Sequence, residues 1–106
     1  MPEVYGMTTL LSLGTNFRSI CLSGANLSDA YPRGAELGGA NLSNTNLNNT
    51  DLSGADLSGA NLSDTDLTKA TNVYEFQVQS SGFCRTNLPA DYRIDPDRNC
   101  SLYQTP

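Results

Sequence analysis

From Thr15 to Lys69 the chain is a run of eleven pentapeptides in one unbroken register: TNFRS, ICLSG, ANLSD, AYPRG, AELGG, ANLSN, TNLNN, TDLSG, ADLSG, ANLSD and TDLTK. A period of five matches neither the roughly 3.6 residues of a helical turn nor the period of about 2 of a strand, so no single regular element accounts for it. A short fixed repeat is instead the signature of a chain that stacks on itself. The block centres are leucine or aromatic except at Pro32.

The blocks opening at Ala25, Ala40, Ala55 and Ala60, with Thr in that place at Thr45, Thr50 and Thr65, follow an A(N/D)Lxx pattern. This pattern resembles the pentapeptide repeat family. The resemblance implies an all-β fold, a right-handed quadrilateral β-helix in which each pentapeptide forms one side and four form a coil. Eleven blocks then make about 2.75 coils. On that geometry residues twenty apart lie above one another, at roughly the 4.8 Å spacing of neighbouring strands. Phe17, Leu37 and Leu57 form one inward column, Leu22, Leu42 and Leu62 a second, Leu27, Leu47 and Leu67 a third, and Pro32, Leu52 and Asn72 the fourth. The expected core is therefore Phe17, Leu22, Leu27, Leu37, Leu42, Leu47, Leu52, Leu57, Leu62 and Leu67. Two positions before each centre stand small residues, Ala or Thr, and the intervening Asn, Asp, Gly and Ser suit tight corners.

A stack this short leaves both ends open, and stacked repeats need caps. The chain divides accordingly into an N-terminal cap (1–14) carrying Val4, Tyr5, Met7, Leu10, Leu11 and Leu13, the repeats (15–72), and a C-terminal cap (73–106). Residues 74 to 79 alternate, which predicts a half-buried strand across the last coil. Beyond it Gly82, Pro89 and Pro96 indicate loops or short helical turns.

The segment Phe83-Cys84-Arg85-Thr86-Asn87-Leu88-Pro89, followed by Asn99-Cys100, is similar to the ending of thylakoid-lumen pentapeptide proteins of cyanobacteria and plants, and departs from their pattern at Leu88, Ala90 and Asp91. The resemblance implies a Cys84–Cys100 disulfide; from the residues alone, two reduced thiols are the alternative. A persistent disulfide suits a thylakoid lumen or periplasm, and the alternative compartment is the cytoplasm. Cys21, next to a block centre, is expected to face outward. No 18-residue apolar run occurs, so no membrane span is expected.

The chain has no histidine, which removes Ser-His-Asp and Cys-His pairs and the commonest general base. No phosphate-loop, dinucleotide or zinc-protease motif is present. Glu36 and Asp56 should share a face, as solvated groups rather than a cation or catalytic pair, and the outward column Ser23, Ser43 and Ser63 is expected to serve turns. No catalytic residue, cofactor or metal is expected. A net charge of −5 disfavours nucleic acid as a partner. It also raises a specific alternative, since some pentapeptide proteins imitate duplex DNA towards gyrase-type topoisomerases. The repeats carry six acids against three bases, a sparse charge for such mimicry. Tyr31 and Arg33, flanking the one break in the leucine register, are residue types that interfaces favour, and form a candidate contact patch for a protein partner. The expectation is a non-catalytic structural or protein-interaction module; the alternatives are a gyrase-binding DNA mimic and an enzyme of unrecognised type.

Overall fold

The structure is a computed structural model that describes residues 16–29 and 34–103. The expected N-terminal cap and Tyr31, Pro32 and Arg33 lie outside the described residues.

Ten of the eleven blocks turn a corner at a last residue of positive φ, the exception being TDLTK, which ends on Lys69. Gly24, Gly34, Gly39, Gly54 and Gly59 have positive φ there, as do Ser19, Asp29, Asn44, Asn49 and Asp64. Left-handed backbone is inexpensive for Gly and tolerable for Asn and Asp, which explains the composition of that position. At Gly54 the φ of +66° is what favours glycine, since a Cβ there would make only ordinary contact with the Gly34 backbone, 3.8 Å away.

Between corners the backbone bonds to the coils above and below rather than along itself. Parallel bridges join Asn16 to Glu36, Cys21 to Asn41, Asn26 to Asn46, Glu36 to Asp56, Asn41 to Asn61 and Asp51 to Thr71, every pair twenty residues apart. The amides of the block centres make the bonds: Leu22 N donates to Asn41 O (2.8 Å), Leu37 N to Asp56 O (2.8 Å) and Leu42 N to Asn61 O (2.8 Å). Each bridge is isolated, one residue per side, because a corner intervenes before a second can form.

Inside, Leu22, Leu27, Leu37, Leu42, Leu47, Leu52, Leu57, Leu62 and Leu67 are all buried, with Ala25, Ala35, Ala40, Ala55 and Ala60 between them. Phe17, in the first described coil, is only partly buried against this core. Threonine can replace alanine inside because its hydroxyl finds a block-centre carbonyl, for Thr45 that of Leu42 in its own coil (2.8 Å) and for the others one in the coil before. Thr50 Oγ1 donates to Leu27 O (2.7 Å) and Thr65 Oγ1 to Leu42 O (2.8 Å). Among the described residues no buried side-chain N or O lacks a partner, as a stable interior requires.

The expected strand at 74–79 is not there. Residues Glu75–Val78 form a single helical turn, α1. Gln77 decides this. Its Oε1 accepts from Tyr74 N (2.7 Å), while its Nε2 donates to Leu52 O (2.8 Å) and Ala55 O (3.2 Å). A helical turn lets the amide reach those carbonyls and buries Val78 completely; it leaves Phe76 74% exposed, where an alternating strand would have buried it with Val78.

After α1 the stack resumes. Asn61 bridges Gly82 and Asp66 bridges Asn87, now twenty-one residues apart. The segment containing α1 thus holds one more residue than a regular side, and the chain re-enters register as SGFCR and TNLPA. Phe83 occupies the place below Leu62 and is fully buried, and Leu88 packs partly buried against the core. Ser81 Oγ donates to Leu57 O (2.7 Å) and Thr86 Oγ1 to Leu62 O (2.9 Å), repeating the role of Thr50 and Thr65. A boundary at 72 follows the sequence period, whereas the bridges run on to Asn87. A second turn, α2 (Cys100–Tyr103), follows the loop at 89–99.

Phe83→Ala is expected to destabilise the chain by about 3 to 5 kcal/mol and Leu62→Ala by about 2 to 5 kcal/mol, because both remove side chains from one column. Chemical denaturation of the two variants checks this; a near-neutral Phe83→Ala would show that the tail does not belong to the stack.

Candidate functional site

The outer face is built on side chains that bond their own corner. Oδ1 of Asn16, Asn26, Asn41, Asn46, Asp51, Asp56, Asn61 and Asp66 each accepts from the amide two residues ahead, at 2.8 to 3.1 Å. The Ser28, Ser43 and Ser53 hydroxyls donate to the same oxygens at 2.6 to 2.7 Å. Asn or Asp at the second place of a block therefore acts as a local turn former. Ser23 and Ser43 also touch one another at 3.0 Å, and Ser63 in the same column is buried.

These bonds set the acidity of the carboxylates. Hydrogen bonds from Ser58, side chain and backbone, hold Asp56 below the ordinary aspartate value, and the Thr68 hydroxyl does the same for Asp66. Asp64 is lowered by Arg85, whose Nε and Nη2 donate to its two oxygens at 2.6 and 2.9 Å. Glu36 and Asp56 are bridged neighbours on one face.

The C-terminal end is where the chemistry gathers. Cys84 and Cys100 are disulfide-bonded, with Cα atoms 4.6 Å apart, and Cys21 is an exposed thiol. The bonded loop is also tied through its backbone: Phe83 N donates to Asn99 Oδ1 (3.0 Å), Asn99 N to Phe83 O (2.9 Å) and Arg85 N to Asp97 Oδ1 (2.8 Å). Arg98 lies 4.7 Å over the Phe83 ring and donates to the carbonyls of Gln79 and Ser81. It closes the last buried aromatic with a cation that stays in solvent.

One surface feature was not legible in the sequence. Tyr74 (55% exposed) and Phe76 (74% exposed) stack outside the coil, their rings 6.0 Å apart and nearly parallel. Alternation concealed this pair, and only the helical turn set by Gln77 turns it outward.

Residues 33–71 match the family model for pentapeptide repeats, in eight copies. This segment is a pentapeptide-repeat array. No curated protein matches the chain. The array matched by the family model stops at Thr71, and the coil described by the bridges goes further, through SGFCR and TNLPA, whose register is displaced by one residue. Among the described residues no helix of the array or its ends is long and apolar enough to cross a membrane.

Two outcomes are expected. Stability should decline as the pH falls from about 4 downwards. The native pKa values of Asp56, Asp64 and Asp66 are depressed, so their stabilisation is present above the unfolded value near 3.8 and is lost as pH falls through the native ones. Arg85→Gln should make this decline shallower by removing Asp64's share, measured as denaturation midpoints between neutral pH and about pH 3; an unchanged slope would deny Asp64 that role. Cys100→Ser should cost about 3 kcal/mol on the chain-entropy model, read from the same denaturation curves.

Proposed function

We propose that the chain is a right-handed quadrilateral β-helix acting as a non-catalytic structural or protein-interaction module. The observation that carries this is the engagement of its outward polar groups with its own backbone. Eight Asn and Asp side chains bond the corner they stand on, and the inward places are filled by Leu, Ala and bonded Thr. An array of this kind has its polar side chains occupied in maintaining shape, and what it offers a partner is a rigid, regularly spaced surface.

The gyrase-binding alternative receives less support. Asp64 is paired with Arg85, and six acids against three bases over eleven blocks is a sparse charge beside the one per roughly 1.7 Å of a DNA duplex. An oxidising compartment, a thylakoid lumen or a periplasm, fits the Cys84–Cys100 bond.

The contact surfaces proposed for a protein partner are the Tyr31/Arg33 patch and the stacked Tyr74/Phe76 pair, aromatic and Arg anchors being what interfaces enrich. In-cell crosslinking of the wild-type chain against Tyr31→Ala/Arg33→Ala and Phe76→Ser variants tests this. One or both variants should lose a crosslinked neighbour that the wild type recovers; identical neighbours from all three would remove both patches.

A further inference from the structure

We propose that, once the Cys84–Cys100 bond is reduced, Cys84, Asp97 and Cys100 form a binding site for a thiophilic divalent cation of the zinc type. A ligand atom from each, two sulfurs and one carboxylate oxygen, lies within 4.8 Å of the others. Two thiolates and one carboxylate are a donor set that Zn2+ accepts, with water in a fourth position.

Contacts other than the sulfur bond also hold the ligands in place. Phe83 and Asn99 exchange two hydrogen bonds, Phe83 N to Asn99 Oδ1 at 3.0 Å and Asn99 N to Phe83 O at 2.9 Å. Arg85 N donates to Asp97 Oδ1 at 2.8 Å, and a carboxylate so engaged retains acceptor capacity for a cation. Arg98 grips Ser81 O and covers Phe83. Asp97 and Cys100 meet across one turn, in which Cys100 N donates to Asp97 O (3.1 Å). Two thiolates on one tetrahedral zinc lie roughly 3.8 Å apart, as bond lengths of about 2.3 Å require; side-chain rotation reaches that from Cα atoms 4.6 Å apart.

Cys84 is buried, Cys100 half-buried and Asp97 exposed, so a cation reaches the cluster from solvent past the carboxylate. The charges also suit it. Two thiolates, a carboxylate and a dication leave one net negative charge, beside which Arg85 Nη1 donates to Cys84 Sγ at 3.1 Å. In chemical terms a dithiol reductant delivers two electrons and two protons, breaking the S–S bond and becoming a disulfide itself. The cation then displaces the two thiol protons into solvent. The same loop is closed by a covalent bond in an oxidising compartment and by coordination in a reducing one.

The test uses the full chain, reduced with a phosphine, desalted under anaerobic conditions and titrated with Co2+, then with Zn2+. The reduced protein should show a thiolate-to-cobalt charge-transfer band that saturates at one metal per chain and is bleached by zinc, while the oxidised protein shows none. Cys21→Ser should leave the band intact, Cys100→Ser should abolish it, and Asp97→Asn should weaken binding by more than about tenfold, the lower end of what loss of even a supporting group costs. Absence of the band from reduced wild-type protein, its survival in Cys100→Ser, or an affinity unchanged by Asp97→Asn would overturn the assignment.

Discussion

The vertical hydrogen bond between coils is the interaction on which everything else rests. Along the chain the backbone closes only the corners, as Ala25 N does on Leu22 O and Ala60 N on Leu57 O, so its remaining groups need partners elsewhere. They find them across the chain, most centre amides reaching a carbonyl in the neighbouring coil, as Leu22 reaches Asn41 and Leu42 reaches Asn61. That bond is available only if the corner falls at the same residue in each block, and the corner falls there because its last residue accepts a positive φ. Sequence period, corner backbone and coil spacing are thus one constraint seen at three levels.

The side chains follow from the same constraint. Inward places see a narrow tube and take leucine at the centre and alanine or threonine two residues before it. Threonine is admitted where a centre carbonyl accepts its hydroxyl, as Leu27 O of the previous coil does from Thr50 and Leu42 O does from Thr45, so that its burial leaves no unpaired polar group. Outward places bond the corner. The result is a surface whose polar residues maintain the shape that presents them, and among the described residues the stacked Tyr74/Phe76 rings stand outside that pattern.

Much of this was legible from the spacing. Leucines at intervals of five identify the interior, and the Asn or Asp before most of them, though not before Leu22 or Leu37, identifies the corner former. The C-terminal coil was not legible, for a physical reason. The side containing α1 holds one extra residue, which displaces SGFCR and TNLPA from the register of the array, and Phe83 and Ser81 stand where a leucine and an alanine or threonine would be sought. Residues 74–79 misled through their alternation: a pattern of period two carries no information about a glutamine able to cap two carbonyls of a neighbouring coil, and Gln77 does so from a helical turn. The expected cysteine pairing came from resemblance to the endings of thylakoid-lumen pentapeptide proteins, since spacing of sixteen residues in an irregular loop does not specify a partner.

The most direct measurement of the central claim is a through-hydrogen-bond scalar coupling experiment by NMR on labelled protein. Couplings are predicted from the Leu42 amide to the Asn61 carbonyl, the separation the period gives, and from the Leu62 amide to the Gly82 carbonyl, one residue later than the period alone would give. Coupling of Leu62 to Ser81 instead would contradict the displaced register, and absence of both couplings in folded protein would contradict the stack itself.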